Sequence, residues 1–194
     1  MLLRNPNGDI PQIDKTAYVC KSAMIIGNVI IGENVFVSSH TSIRADEPGS
    51  AIIIGNNCNI QDNVIVHALA NTKVIIDDFT SLSHGCIVHG PVNIGMNCFI
   101  GFNSVVFDCS IGNMCFISHR ALVKNVSISD RRIVEDGGVI NEQADANKLG
   151  EITGEILEFN NNVIQTNIKL ARNYSKKHLI DVHRDFDALQ KINS

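Results

Sequence analysis

The sequence contains no tryptophan, two tyrosines and eight phenylalanines among its 194 residues. Aromatic side chains fill wide spaces in protein cores, so their scarcity favours a narrow interior filled by small aliphatic groups. No stretch approaches the ~20 apolar residues that cross a bilayer. The N-terminal MLLRNPNGDIPQI (1–13) also lacks the long apolar run of a signal peptide. The sequence therefore predicts no membrane partner and a cytoplasmic location.

Charge and cysteine spacing exclude two further classes. The formal net charge is −4 and no segment gathers five like charges, so we expect no nucleic-acid partner. The six cysteines include no CxxC pair, which argues against a cysteine-ligated zinc site. Without an export signal, reduced thiols are expected.

What the sequence does contain is a six-residue repeat of aliphatic side chains, broken by two insertions and one missing residue. Its members are Ile25, Ile31, Val37, Ile43, Ile54, Ile60, Val66, Ile76, Leu82, Val88, Ile94, Ile100, Val106, Ile111, Ile117 and Val123. Glycine or aspartate follows many of them and indicates a turn. Small or β-branched residues occur two positions earlier, and we interpret five of these as buried structural cysteines: Cys58, Cys86, Cys98, Cys109 and Cys115.

A strand and a turn every six residues, three per coil, predict a parallel β-helix of triangular section with coils ~4.8 Å apart. Periodicity does not give its hand. We name its faces A, B and C, containing Ile54, Ile60 and Val66 respectively. We expect this all-β domain to occupy residues 1–140.

The repeat stops near residue 140, and residues 141–194 are predicted to form a helical segment packed on the β-helix. Within it, TGEILEFNNNVIQTNIKLARNYSKK (153–177) has the apolar spacing of an amphipathic helix. The polar Asn167 interrupts the apolar stripe. It either bonds a backbone carbonyl or has a functional role.

Three histidines fall at corners of the predicted prism. His67 and His89 follow equivalent face C positions, so both occupy the corner between faces C and A, one coil apart. Stacked about 5 Å apart, they can converge on one metal ion. His84 lies at the corner between faces B and C, a face width away from them.

Packing three prisms around a threefold axis brings His84 of one chain to His67 and His89 of the next. The same packing pairs Arg44, one coil below His67, with Asp62, one coil below His84. Opposite charges therefore fall at the expected contact. The sequence predicts a homotrimer with metal sites between subunits.

Three protein ligands leave a position open for water, which favours a catalytic metal over a structural one. The insertions 44–53 and 67–75 both leave from the C–A corner, where loops can supply proton-handling groups. We interpret the remaining histidines as surface residues: His40, His119, His178 and His183.

The motifs RADE (44–47), NIQD (59–62), VHAL (66–69), SLSHGCIVHGPV (81–92) and FIGFNSVVF (99–107) resemble those of γ-class carbonic anhydrases. The resemblance continues through QADANKL (143–149) and NIKLARNY (167–174), covers nearly the whole chain, and is greatest to the methanogen-type branch. It implies a left-handed β-helix. It also implies a homotrimer that hydrates CO2 reversibly to bicarbonate with a metal-bound hydroxide at the subunit interface.

The resemblance also implies residue roles. The metal would be Zn2+, with Fe2+ or Co2+ as alternatives, and its ligands His67, His84 and His89. The resemblance gives catalytic roles to three residues: Glu47 would accept a proton, Gln61 would bond the metal-bound hydroxide, and Asn167 would reach the substrate pocket. Asn59 would line the site beside Gln61. Arg44 and Asp46 match the family's interface and structural pair, and Asp62 matches the partner of Arg44.

The chain departs from the family pattern at three places. Ala70 replaces the proton-shuttling glutamate of an acidic loop that is short here, Gln165 replaces a tyrosine, and the N-terminal tryptophan is absent. Two alternative functions stay open. One is a catalytically weak or inactive metal-bearing trimeric scaffold, and the other is a hexapeptide-repeat acyltransferase with a single catalytic histidine.

Overall fold

The structure is a computed structural model that describes residues 1–176, so the predicted surface residues His178 and His183 lie outside the described residues. The first half of the chain forms short strands: β1 (Leu2–Leu3), β2 (Gln12–Ile13), β3 (Tyr18–Val19), β4 (Met24–Gly27), β5 (Val29–Ile31), β6 (Phe36–Val37), β7 (Ser42–Ala45), β8 (Ala51–Ile54), β9 (Asn59–Ile60) and β10 (Ile65–His67).

The second half continues this pattern and ends in helices. Its elements are β11 (Lys73–Ile76), β12 (Ser81–Leu82), β13 (Ile87–Ile94), β14 (Phe99–Ile100), β15 (Val105–Ile111), β16 (Phe116–Ile117), β17 (Leu122–Lys124), β18 (Ser127–Ile128), β19 (Ile133–Val134), β20 (Val139–Ile140), α1 (Gln143–Ala146) and α2 (Gly154–Lys176). No helix in the described part is long and apolar enough to span a membrane.

The strands pair in parallel with the same face of the coils above and below. Face B is a seven-stranded sheet from β3 to β19, while faces A and C join into a thirteen-stranded sheet because β13 and β15 pass round the C–A corner. Ile60 pairs with Leu82 and Val66 with Val88, as the repeat predicts. The parallel β-helix with a C-terminal helix is therefore confirmed.

The core is the line of inward-pointing aliphatic side chains. Ile25, Ile43, Ile60, Leu82 and Ile100 are fully buried. The five cysteines assigned to the interior are buried too, and none of the six is in a disulfide. Since the section is too narrow for rings, aromatic side chains lie outside the prism, chiefly on face B.

Asparagines make many of the corners. Asn57, Asn97 and Asn103 adopt left-handed backbone conformations with φ near 56°. Asparagine tolerates this conformation better than most residues because its side chain bonds the local backbone. These turns hold successive coils in register, so residues of one corner stack into columns.

Helix α2 covers face B from the late coils to the first. Phe99 and Phe116 stack on face B with ring centroids 4.5 Å apart, and Phe159 of the helix meets both edge-on. At its other end, Tyr174 stacks on Tyr18 of β3 at 4.8 Å. The amphipathic helix predicted over residues 153–177 is thus observed as Gly154–Lys176.

Candidate metal centre and active site

The C–A corner stacks Arg44, His67 and His89 in consecutive coils. His67 pairs in register with Arg44 below and His89 above. Nδ1 of His67 lies 3.1 Å from Nε2 of His89, and Nη2 of Arg44 lies 3.2 Å from Nε2 of His67. The structure therefore brings together the two histidines that the repeat placed in one column.

His67 is surrounded by charges of both signs. Its Nε2 lies 3.5 Å from Asp46 and 3.4 Å from Glu47, while Asp46 also lies 3.5 Å from Arg44. Burial, and then the positive charge of Arg44 and the neighbouring His89 imidazole, lower the pKa of His67 against the opposing effect of the two carboxylates. A lowered pKa favours the neutral imidazole, which is the form that binds metals.

Glu47 is fixed by the backbone of the short second insertion. Its Oε2 accepts a hydrogen bond from the backbone N–H of Ala70 at 2.7 Å, and its Oε1 faces His67. Ala70 therefore contributes to the site through its amide, although its side chain has no acidic group. Residue identity could not reveal this, because every residue except proline carries that amide.

His84 stands at the B–C corner, where its side chain is 52% exposed. Its Nδ1 lies 3.0 Å from Asp62, one coil lower. Hydrogen bonds from the hydroxyls of Ser38 and Ser39, aided by His84, lower the pKa of Asp62 to about 2. The carboxylate is therefore charged at neutral pH and stabilises a fixed orientation of His84.

A cavity of about 180 Å³ opens between His84 and helix α2. It is lined by Asn59, Gln61, Ser83, His84, Phe99, Phe102, Phe159, Val163 and Asn167. Phe159, Val163 and Asn167 lie four residues apart on the helix, so one helical stripe forms the outer wall. The phenylalanines and valine make an apolar pocket with a few polar groups, and the sequence had not assigned them to it.

Asn167 bonds a backbone carbonyl, which is one of the two alternatives left open by the sequence, and it also contacts a polar residue of the cavity. Its Nδ2 donates to the carbonyl of Val163 at 2.9 Å, and its Oδ1 accepts from Nε2 of Gln61 at 2.9 Å. The same Gln61 nitrogen donates to Oδ1 of Asn59 at 2.5 Å. With both bonds made by the amide nitrogen, the Gln61 carbonyl oxygen stays available to the cavity.

The donor set fits a divalent transition metal. Two nitrogens bound at 2.0–2.1 Å to a tetrahedral ion lie about 3.3 Å apart, close to the 3.1 Å between the His67 and His89 nitrogens. Within residues 1–176, no three potential ligands of a single chain form a metal cluster, and His84 lies at the other edge of face C.

Stacked parallel coils built on a six-residue repeat define a hexapeptide-repeat β-helix protein. A putative acetyltransferase from Bacillus cereus superposes with a TM-score of 0.80 at 24% identity, covering 91% of this chain and 97% of that one. This likeness shows the fold, including the left-handed coiling that was expected. No protein-family model matches the chain.

Relatives found by sequence identify the family, whereas the structural neighbour shows only the fold. A carbonic anhydrase of Methanosarcina thermophila is 37% identical over 89% of this chain and 78% of its own. The chain belongs to the γ-class carbonic anhydrase family. The carboxysome assembly protein CcmM of a Nostoc species is 38% identical over 84% of this chain, which spans 31% of that longer protein.

Proposed function

We propose that the protein is a metal-dependent carbonic anhydrase that interconverts CO2 and bicarbonate at sites between the subunits of a homotrimer. The observation that carries the proposal is the convergence of the His67 and His89 nitrogens at 3.1 Å. It occurs in a chain that is 37% identical to a carbonic anhydrase. The polar and apolar groups around His84 provide a cavity next to such a site.

His67 and His89 of one subunit and His84 of the next would hold the ion. Imidazole ligands suit Zn2+, Fe2+ and Co2+ alike. Bound there, the ion would lower the pKa of a coordinated water from 15.7 toward about 7, and so would supply a nucleophile for CO2 at neutral pH. Asp62 orients the His84 ring through Nδ1, which leaves Nε2 for coordination.

The cavity supplies binding and orientation. CO2 is small and apolar, and the Phe99, Phe159 and Val163 walls exclude water from its surroundings. The bonds to Asn59 and Asn167 leave the Gln61 carbonyl oxygen available. It would accept a hydrogen bond from the attacking oxygen and so orient that oxygen toward the carbon of CO2.

Glu47 takes up the proton that each turnover releases. Its Oε1 lies 3.4 Å from Nε2 of His67, on the edge of the site, and its side chain is 37% exposed. A carboxylate in this position can receive a proton and pass it to buffer. The Ala70 amide holds the other oxygen, so the carboxylate keeps one orientation.

The surface of face C supports the threefold arrangement. Six of the seven outward-pointing residues in its central column are apolar: Met24, Ile65, Ile87, Val105, Leu122 and Val139. Met24, Ile65 and Val139 are 38–57% exposed in the single chain. Because face C lies between the two histidine corners, ring closure turns this stripe toward the axis and buries it.

The decisive experiment is stopped-flow CO2 hydration by anaerobically purified protein, with metal loaded or stripped. We expect activity that depends on zinc or ferrous iron and is lost in His84→Ala. Absence of hydration with either metal stoichiometrically bound would contradict the catalytic proposal.

That negative result would favour the second candidate, a metal-bearing scaffold, which the likeness to CcmM supports. A trimer that persists after metal stripping would strengthen the scaffold interpretation. An acetyl-CoA-dependent rate in metal-free protein would instead identify a transferase.

A further inference from the structure

His84 and His89 are the two candidate metal ligands in the upper coil of the site, and a phenylalanine from the next coil covers each of them. At the B–C corner, the ring of Phe102 lies 5.5 Å from His84. At the C–A corner, the ring of Phe107 lies 5.2 Å from His89 and pairs with it in register. Phe102 is 42% exposed in the single chain.

Both columns continue beyond the phenylalanines. Above Phe102, the ring of His119 stacks on it at 4.3 Å and 9°, and the backbone N–H of His119 donates to Asp136 in the following coil. Above Phe107 comes Lys124, whose ammonium lies 5.9 Å from the ring centroid. Each corner therefore carries a continuous column of stacked side chains, and the two columns extend over the same coils.

The proposed site fixes how these columns meet between subunits. His84 must lie level with the space between His67 and His89, which places Asp62 beside Arg44. A residue at the B–C corner thus faces the C–A corner residues of its own level and of the level below.

The same offset between the two columns applies to the coils above the histidines. It places Phe102 beside the partner's column between His89 and Phe107. It places Asp136, two coils higher, beside Lys124.

From this register we infer that Phe102 of one subunit packs against Phe107 of the next, forming an aromatic layer over the three histidines, clamped by an ion pair between Lys124 and Asp136. The inference rests on the proposed interfacial site.

Charge complementarity supports the register. Lys124 makes no ion pair with another residue of the described chain, and Asp136 uses one carboxylate oxygen for the His119 amide. If the partner's column were met one coil higher, Asp136 would face no cation and Phe102 would face Lys124; if it were met one coil lower, Asp62 would lose Arg44 and Phe102 would lose Phe107. The observed order instead gives a second pair of opposite charges, four coils above Arg44 and Asp62.

The aromatic layer would close the site along the interface. Two rings in contact exclude water from the upper side of the histidines, because they cover it with apolar surface. They also block the exit of an ion upward between the subunits. The cavity beside His84 then becomes the open side of the site.

Disulfide trapping tests the register directly. In a Cys20→Ser background, the double variant Lys124→Cys, Asp136→Cys should give trimers that resist SDS and are released by reductant. Each single variant should stay monomeric on the gel, because it lacks the second thiol of the pair. The two positions of one chain are separated by a face of the prism, so the double variant cannot close a disulfide within one chain. The pair Arg44→Cys, Asp62→Cys serves as the control for the lower part of the interface.

The outcomes separate the inference from the proposal beneath it. If wild type sediments as a trimer and the control pair cross-links while Lys124→Cys, Asp136→Cys does not, the register is wrong and the proposed function stands. A wild type that stays monomeric with metal would contradict both.

Metal release gives a second readout. We expect Phe102→Ala and Phe107→Ala each to speed transfer of Zn2+ to a chelator about tenfold, the scale of outer-shell effects on metal sites. Phe79→Ala, at a corner remote from the histidines, should leave the rate unchanged. Equal rates in all four proteins would overturn the role of the aromatic layer.

Discussion

Asn167 of helix α2 accepts a hydrogen bond from Gln61 of the β-helix at 2.9 Å, across 106 residues of sequence. The bond makes the helix part of the candidate active site, because it decides which end of the Gln61 carboxamide faces the cavity. In the proposed mechanism, Asn167 therefore acts through Gln61 as a positioning residue, besides lining the pocket.

Replacing Asn167 by leucine should free the Gln61 side chain to rotate. A hydrogen bond of this kind contributes about 1 kcal/mol, so we expect a five- to tenfold loss of kcat/KM in CO2 hydration, a factor of about 10 being 1.4 kcal/mol. Asn161→Leu, at an exposed position of the same helix, is the matched control. Equal activity of the two variants would mean that Gln61 needs no support from the helix.

Replacing Glu47 by glutamine keeps an acceptor for the Ala70 amide but removes the proton acceptor. We expect kcat in weak buffer to fall by about 100-fold, the lower end of general acid–base effects. High concentrations of imidazole buffer should restore much of the rate. Glu142→Gln, remote from the site, should behave as wild type, and a loss that buffer does not restore would assign Glu47 to binding instead.

The narrow core predicts large effects of small deletions. Ile100→Ala, at a fully buried position, should lower the free energy of unfolding by about 2–5 kcal/mol. Ile30→Ala removes a side chain that is 40% exposed, and should cost about 0.5 kcal/mol or less. Urea unfolding at one fixed protein concentration measures both, and similar losses would show that the outer surface carries the stability.

The six thiols should differ in reactivity. Burial raises the pKa of Cys58 and of Cys109 to about 12. Burial also opposes ionisation of Cys20, but the hydrogen bonds from Ser22 outweigh it and lower that pKa. Because a lower pKa leaves more thiolate at a given pH, a thiol reagent at pH 8 should label one cysteine quickly in native protein.

Cys20→Ser should remove this fast phase, and Cys86→Ser should leave it intact. Denaturant should expose all six thiols of the wild type. A fast phase of two or more thiols in native protein would indicate that the coils open more readily than their packing suggests.

The six-residue repeat predicted the stacking of His67 on His89 because strand pairing in a coil of fixed length leaves little freedom of register. The position of His84 on another corner followed from the same counting. The buried face of the helix was less accessible. Asn160 is buried and donates to the carbonyl of Asn97, yet an asparagine in an amphipathic pattern gives no sign of burial.

Contacts made by backbone amides and by the ends of carboxamides could not be predicted at all. The Ala70 amide that holds Glu47 is chemically the same at nearly every residue. Likewise, either end of Gln61 could face the cavity until Asn167 and Asn59 are placed around it. Such contacts depend on loop paths and rotamers, which the repeat does not encode.

Each coil of the β-helix touches only the coils above and below, so the stack alone would open from its ends like a linear array. Helix α2 contacts the first coil at Tyr18 and the sixth at Phe116, and so joins units that are remote in that array. Loss of the first coil removes the stacking of Tyr174 on Tyr18 and so weakens the attachment of the end of the helix that continues from Asn167. Fraying at the N-terminus, detectable by amide hydrogen exchange, is thereby coupled to the order of the Gln61 side chain.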